Sequence, residues 1–482
     1  KGPAGPQAPP AGRAQRARRR PPRGRPRKPE TCRRIKKGCE HMQDTIFALA
    51  TPVGGAIAIL RISGPQTKPV LEQVFTGTLK HRYMAYGYLV ADGRRIDSVM
   101  AAYFQGPASY TGEDMGEVYV HGGQAVVSRV MELFAHKGLR QALPGEFTRR
   151  AFLNGKMDLS SAEAVQDLIA ATARRGAASA MEQLQGGLRK RIEDLESRLL
   201  DALSGIDAAI DYPEELEEDV FCALPETISS LIGELDALIQ EGRQNRVLRE
   251  GAKVAILGLP NAGKSSLLNA LLGEDRAIVT AQAGTTRDIV EGTCSMEGVA
   301  VRLLDTAGIR EAKDLVEQIG VERALAAAQD ADLVLLCLDG AGEAGPGEEA
   351  LLTQTQHMPR ICVITKQDIA SGQAAAALAA SHQIPAYPVS ALTRAGLSQL
   401  VQAIAAQVAP GAGESALITN ARHVEALEDA RQALLAADPY APDPDCLATD
   451  LRNALDALGR ITGSTVEEAV IQRIFSRFCV GK

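Results

Sequence analysis

The sequence predicts a multidomain α/β plus α protein. It reads as a small N-terminal α/β domain, an α-helical domain, and a P-loop domain of Ras-like architecture inserted into the helical one. Three observations predict this. The apolar run 254–257 leads into Gly258, four further residues, then Gly263, Lys264 and Ser265, a strand, glycine loop and helix in succession. On both sides of that segment apolar residues recur every three or four positions. Ahead of them, runs 44–50 and 56–62 read as strands.

The P-loop reading rests on what its residue types do. Glycines let the amides of Asn261, Ala262, Gly263, Lys264, Ser265 and Ser266 close around phosphate oxygens. Lys264 supplies a point charge to the β/γ-phosphates, and the Ser265 hydroxyl fits Mg²⁺. The helix from Ser266 adds its positive end. Four more motifs follow in order. Gly284-Thr285-Thr286-Arg287-Asp288 suits a switch loop whose Thr closes on Mg²⁺. Run 301–304 ends in Asp305-Thr306-Ala307-Gly308, a D-x-x-G that places a Mg²⁺-side Asp and a γ-phosphate-sensing amide. Strand 361–364 leads to Thr365-Lys366-Gln367-Asp368, an N-K-x-D type motif with Thr for Asn. Asp368 there accepts from the two N–H donors of guanine, which adenine lacks. Ser390-Ala391-Leu392 follows a strand at 386–389, as a base-covering loop does. Together these predict a GTPase.

One absence shapes the catalytic expectation. Ile309 stands where Ras-like GTPases place a water-orienting Gln. Arg310, Glu311 and Glu317 are the candidates that follow, and each by itself reads first as part of a solvated helix face.

Composition bounds the rest. The chain has 482 residues, 45% of them hydrophobic and 23% charged, which describes a soluble multidomain globular protein. No apolar run reaches membrane-spanning length, so no membrane association is predicted. Eight Cys without C-x-x-C spacing predict neither a zinc site nor a disulfide framework, and reduced thiols predict a cytoplasmic protein. Residues 1–41 carry 14 Lys/Arg against two Glu, while the remainder carries 39 against 57 Asp/Glu. The body is acidic, so RNA contact requires local basic patches.

In chain order, residues 1–41 are Pro-, Gly- and Arg-rich and read as a disordered basic tail or a non-native leader, with Met42 the natural start. Residues 42–156 read as the α/β domain, with strands at 44–50, 56–62 and 118–120 and a helix from about 144. His121, before two glycines, reads as a turn histidine. Residues 157–249 form the first helical part. Leu184, Leu188, Ile192, Leu195, Leu199, Leu203, Ile206 and Ile210 make one apolar stripe, Gly186-Gly187 a kink, Pro213 an end, and a second helix runs from about Pro225. The P-loop domain spans 250–410. Residues 411–482 return to helices at 421–437, 446–461 and 464–478, the last with a Ser464-x-x-Glu467 capping box. By spacing alone Cys479 reads as a small buried hydrophobe, with a reactive exposed thiol as the alternative.

At this point a resemblance is specific. The motifs A-T-P-x-G-G (from Ala50), I-L-R-I-S-G (ending at Gly64), Y-T-G-E-D (from Tyr110), H-G-G, P-G-E-F-T-x-R-A-F-L-N-G-K (from Pro144), G-L-P-N-A-G-K-S-S, A-G-T-T-R-D, D-T-A-G-I-R-E and the terminal F-C-V-G-K resemble the tRNA modification GTPase family MnmE/TrmE over nearly all of 43–482. The resemblance implies a folate-binding, dimerising N-terminal domain. Arg61, Glu117, Lys156 and Lys482 would contact 5-formyl- or methylene-tetrahydrofolate. Residues Thr280, Ala281, Gln282, Ala283, Gly284, Thr285 and Thr286 would line the nucleotide, with Asn261, Thr280, Gln282 and Thr285 on K⁺ and Ser265 and Thr286 on Mg²⁺. Glu317 matches the water-orienting acid, and Cys479 a Cys of tRNA modification. The implied partners are a second copy, an FAD-binding MnmG-type protein in a heterotetramer, and tRNA, whose wobble uridine would gain a (carboxymethyl)aminomethyl group at C5. Thr365 and a shorter glycine loop at 51–55 depart from the family pattern. The alternatives are a ribosome-assembly or RNA-binding GTPase switch and a stand-alone folate-dependent transferase.

Overall fold

Alternation of apolar and polar residues builds the first domain. The computed structural model describes residues 44–274, 292–305, 325, 328–343, 345–410, 416–440 and 444–481. The domain comprises β1 (Ile46–Leu49), β2 (Ile57–Ser63), α1 (Thr67–Val74), β3 (Met84–Ala91), β4 (Arg94–Phe104), β5 (Met115–His121), α2 (Gln124–His136), β6 (Arg140–Gln141) and α3 (Glu146–Leu153). Its sheet has the order β3-β4-β5-β2-β1-β6. One face, with Ala58, Leu60, Ile62, Val118 and Val120, is buried under Val70, Leu71, Val130 and Phe134 of α1 and α2. The period of two then sends Arg61 and Glu117 to the other face, opposite each other across β2 and β5. That face also exposes Met84, Tyr86 and Met100.

The helical scaffold begins with α4 (Leu159–Ala170), α5 (Arg174–Leu184), α6 (Gly187–Asp211) and α7 (Pro213–Glu250). Asp158 caps α4 by accepting from the Ser161 amide at 2.9 Å. Two expectations change here. The Gly186-Gly187 kink is a full break, because Gly186 takes φ +84° and α6 starts afresh at Gly187. α6 does end at Asp211, ahead of Pro213, but the second helix does not start at Pro225. Pro213 opens α7 instead, and the helix passes through Pro225. Packing of Leu224, Ile228, Leu231 and Leu235 into the bundle core outweighs the lost backbone bond. Of the predicted stripe, Leu188 to Ile206 is buried and Ile210 is exposed.

The inserted domain follows as β7 (Ala252–Gly258), α8 (Lys264–Glu274), β8 (Gly292–Met296), β9 (Val299–Asp305), β10 (Leu333–Asp339), α9 (Pro346–Gln354), β11 (Arg360–Thr365), α10 (Gln373–Ser381), β12 (Ala386–Pro388) and α11 (Leu397–Val408). The strand order is β12-β11-β10-β7-β9-β8, parallel except for β8. Strands covered on both faces read as unbroken apolar runs. Their side chains divide with period two. Val254, Ile256, Leu335 and Val363 join one core, and Ala255, Leu257, Leu336 and Ile364 the other.

The chain then returns to the bundle with α12 (Ala421–Ala436), α13 (Pro444–Thr462) and α14 (Glu468–Phe475). The expected capping box is not formed. Glu467 is the N-cap of α14 and makes no side-chain cap bond. Ser464 Oγ instead donates to Gly459 O at 3.3 Å, completing the end of α13. Phe475 and Phe478 pack against Phe152 and Leu159, bringing the C-terminus back to the first domain.

Candidate functional site

Two sites emerge from the described residues. The first lies at the C-terminal ends of the parallel strands, where an open α/β sheet binds its ligands. The glycine loop follows β7, Asp305 ends β9 in register with Ile256, Thr365-Lys366-Gln367-Asp368 follows β11, and Ser390-Ala391 follows β12. Asn261 holds φ +62°, and Ala262 is buried beneath it. Lys264 Nζ donates to the carbonyls of Gly258 and Leu259 at 2.9 Å each, so the ammonium is folded over its own loop. Ser265 and Ser266 are exposed at the start of α8.

The base-side loop is tied to the phosphate-side loop by the residue that departs from N-K-x-D. Thr365 Oγ1 lies 2.9 Å from Ala262 O and 3.1 Å from Leu338 O. Its hydroxyl has one proton, so it donates to one of these carbonyls at a time. Ser390 Oγ donates to Asp368 Oδ1 at 2.8 Å, orienting the carboxylate. Lys366 Nζ sits 2.6 Å from Asp339 Oδ2. Burial pushes the Asp339 carboxyl up, but Lys366 and the Ala341 amide outweigh it and hold it below the ordinary range.

The second site is on the open face of the first sheet. Arg61 Nε and Nη2 donate to Glu117 Oε1 at 3.0 and 2.8 Å, and Tyr119 Oη donates to Oε2 at 2.9 Å. The Arg61 guanidinium also lies over the Tyr110 and Phe147 rings, 5.7 and 5.8 Å from their centroids. Tyr110 Oη shares a 2.9 Å hydrogen bond with Thr148 Oγ1. Burial pushes the Tyr110 hydroxyl up, keeping it protonated.

The C-terminal tail enters this site. Arg61 Nη1 donates to Gly481 O at 3.2 Å, and the Gly145 amide to Cys479 O at 3.4 Å. Gly481 has φ +95°, and a Cβ there would stand 2.3 Å from Leu49 O, so only glycine seats the tail. Phe478 is buried while Cys479 is exposed. The buried reading of Cys479 is thereby corrected. Docking of Gly481 into β1 turns the thiol outward. Lys156 is also exposed, its Nζ donating to Pro107 O at 3.0 Å. It stands on the loop beside Gly112, and Arg61 and Glu117 stand on the sheet.

Beneath the tail is a charged network. Arg150 pairs with Asp44 at 2.6 Å, Glu113 at 3.1 Å and Glu146 at 3.0 Å, and Arg140 pairs with Asp44 and Glu146 at 2.6 Å each. These pairs account for Glu146 and Arg150 of the motif beginning at Pro144, and its Lys156 lies outside the network. His121 is the last residue of β5, opposite Ile57, and not the turn residue expected, and its Nδ1 lies 2.7 Å from Asp97 Oδ1. Tyr110, Phe147, Thr148 and Gly481 were not singled out by the sequence reading, although each lies inside a quoted motif. The predicted residues Thr280, Ala281, Gln282, Ala283, Gly284, Thr285, Thr286, Thr306, Ala307, Gly308, Arg310, Glu311, Glu317 and Lys482 lie outside the described residues, as do residues 1–41. Among the described residues no group of His, Cys, Asp and Glu could hold a metal ion, and no helix is long and apolar enough to cross a membrane.

Comparison with known proteins adds to this geometry. The family model of the TrmE N-terminus, a GTP-binding protein, matches residues 45–156, and that of the MnmE helical domain matches 159–479. The chain is 38% identical over 456 residues to the tRNA modification GTPase MnmE of Natranaerobius thermophilus, covering 91% of this chain and 100% of that one. It is 41% identical to the Lysinibacillus sphaericus protein of the same name, with 91% and 99% covered, and 42% identical to that of Parasynechococcus marenigrum, with 91% and 99% covered. By its matched domains and its full-length likeness to these relatives, the chain belongs to the tRNA modification GTPase MnmE family.

Proposed function

We propose that this protein hydrolyses GTP to drive modification of tRNA. With an FAD-binding MnmG-type partner it installs a (carboxymethyl)aminomethyl group at C5 of the wobble uridine, using a folate one-carbon unit. The observation that carries this reading is the meeting of an exposed Cys479 tail with the Arg61–Glu117 site. A ribosome-assembly switch has no use for such a thiol. A stand-alone transferase has no use for the loops that follow β7 and β11.

The residues fit the groups the family implies. Glu117 accepts three hydrogen bonds of the roughly four a carboxylate can take, leaving a lone pair for an N–H of a folate ring. Tyr110 and Phe147 supply flat apolar faces, and Lys156 and Lys482 supply cationic charge for a folate carboxylate. The exposed Ser265 hydroxyl at the start of α8 suits Mg²⁺, with Thr286. The left-handed Asn261 presents its side chain on the loop, as a K⁺ ligand requires, with Thr280, Gln282 and Thr285. Bound there, the two cations supply charge to the phosphates. Glu317 orients water, assisted by Arg310. The exposed face with Met84, Tyr86 and Met100 supports pairing of two copies. The reading includes a cytoplasmic location.

The test is complementation. Residues 42–482 are expressed, with the cognate partner, in a bacterium lacking its own MnmE-type protein, and digested tRNA is read by mass spectrometry. C5-aminomethyl-type wobble uridines are expected with the parent and absent with Lys264→Ala and Cys479→Ser. GTP hydrolysis is expected to run faster in K⁺ than in Na⁺. No modification from a folded, GTP-hydrolysing parent with its partner would overturn the reading in favour of the ribosome-assembly switch.

A further inference from the structure

Outside both sites, one helix gathers contacts from three parts of the molecule. α4 leaves the first domain directly behind its Asp158 cap. At about 100° per residue, Leu159, Ala162 and Gln166 form one stripe of this helix and Glu163 and Asp167 the next. The first stripe faces the C-terminal tail. Leu159 and Ala162 pack with Phe152, Phe475 and Phe478. Gln166 Nε2 donates to Arg477 O at 3.2 Å, two residues before Cys479.

The second stripe faces both chain connections of the inserted domain. Arg249, in the last turn of α7 and next but one to Gly251, donates from Nε to Asp167 Oδ1 at 2.8 Å. Arg422 and His423 open α12, just after the chain has left the domain. Arg422 donates from Nε and Nη2 to Glu163 at 3.0 and 2.6 Å, and His423 Nε2 lies 2.9 Å from Glu163 Oε2. Arg422 Nη2 also donates to Ile461 O on α13 at 3.3 Å.

Burial makes the Glu163 pairings all-or-none, while the Arg249–Asp167 pair stays in contact with solvent. Glu163 is 5% exposed and His423 fully buried. A buried carboxylate stripped of its partners is an uncompensated charge in a poor solvent. Close-packed interiors switch between discrete arrangements more readily than they stretch. A displacement of the α12 connection therefore moves α4 with it or breaks the Glu163 cluster, and the Arg249–Asp167 pair adds a weaker tie to the α7 connection.

We propose that α4 transmits the nucleotide state of the inserted domain to the Cys479 tail, with Glu163 and Asp167 receiving the displacement and Gln166 passing it on. The proposal rests on the function proposed above. Gln166 touches no substrate in this scheme. It is a positioning residue for the tail carbonyl.

The test is alkylation of the full chain by iodoacetamide, read peptide by peptide, with GDP or a non-hydrolysable GTP analogue bound. Cys222 and Cys446, both exposed, serve as internal references. In the parent, the Cys479 rate is expected to differ between the two states by about fivefold or more, the low end of allosteric coupling. In Gln166→Ala that ratio falls towards one while GTP hydrolysis keeps the parent rate. Glu163→Gln and Asp167→Asn do the same from the other side of the helix. Should Glu163→Gln fail to fold, Gln166→Ala decides alone, because it removes a single surface hydrogen bond. A parent ratio of one, or a parent-like ratio in Gln166→Ala, overturns the proposal. A parent that does not hydrolyse GTP sinks the underlying reading, and the proposal with it.

Discussion

The nucleotide loops and the tail pocket are built on opposite plans. In the inserted domain, each functional loop follows its own strand, and parallel pairing sets the loops side by side. The residues of one loop are consecutive in sequence. In the first domain, Arg61 meets Glu117 through sheet register and Gly481 through a chain that has traversed the whole protein. The first plan makes a site that is local and self-contained. The second makes one that is assembled only when every domain is in place. Removing one group should therefore hurt the first through lost charge and the second through lost assembly.

The largest effect belongs to Lys264→Ala. It removes the point charge of the phosphate loop, and kcat for GTP hydrolysis is expected to fall by at least about a hundredfold. Steady-state phosphate release checks this. A smaller loss would mean that other groups of the loop carry the charge stabilisation.

Arg61→Ala probes the other plan. It leaves Glu117 without its partner and frees the Gly481 carbonyl. Affinity for 5-formyl-tetrahydrofolate, measured by calorimetry, is expected to fall by about tenfold to a hundredfold, the range for hydrogen bonds to charged groups. GDP affinity is the control. A matching loss there would show a general folding defect and erase the contrast between the two sites.

The contrast also explains what was legible in the sequence. Strands covered on both faces leave unbroken apolar runs, so β7, β10 and β11 and the loops behind them could be read directly. The sheet of the first domain is open on one face, and its polar and aromatic positions blur the pattern. The sequence reading leaves β3 and β4 unassigned, although Asp92-Gly93 between them is a hairpin signal, with φ of +50° and +75°. By spacing alone Cys479 reads as buried because F-C-V is apolar, whereas the motif resemblance reads it as a working thiol, and its exposure removes the first reading. Ser464 and Pro225 failed for one reason. Tertiary partners, the end of α13 and the bundle core, overrode local preference.

Thr365→Val sharpens the account of the nucleotide loops. The change keeps shape and deletes the hydroxyl that ties β11 to Ala262. Affinity for a fluorescent GDP analogue is expected to fall about fivefold to tenfold, one neutral hydrogen bond's worth. Thr365→Asn, which retains a donor, should bind at least as well as the parent. Equal binding by all three would show that the loops hold their positions without this tie.

The smallest effect lies in the scaffold that joins the two sites. Burial, and then Glu193 one turn earlier on α6, push the Glu196 carboxyl up to about 7 from an ordinary 4.5. Between those values the folded protein holds a proton that the unfolded chain lacks. The stability linked to Glu196 is therefore complete below pH 4.5 and is lost as pH rises through 7. Glu196→Gln keeps the neutral form at every pH. It should stabilise the scaffold at pH 8 by about 1 kcal/mol after solvent screening, raising Tm by about 2 °C, with no gain at pH 4. Thermal melts at both pH values test the sign. A gain at pH 4 equal to that at pH 8 would mean that amide packing, and not the carboxyl's charge, is responsible. The scaffold would then carry no titrating strain between the site that reads nucleotide and the site that holds the tail.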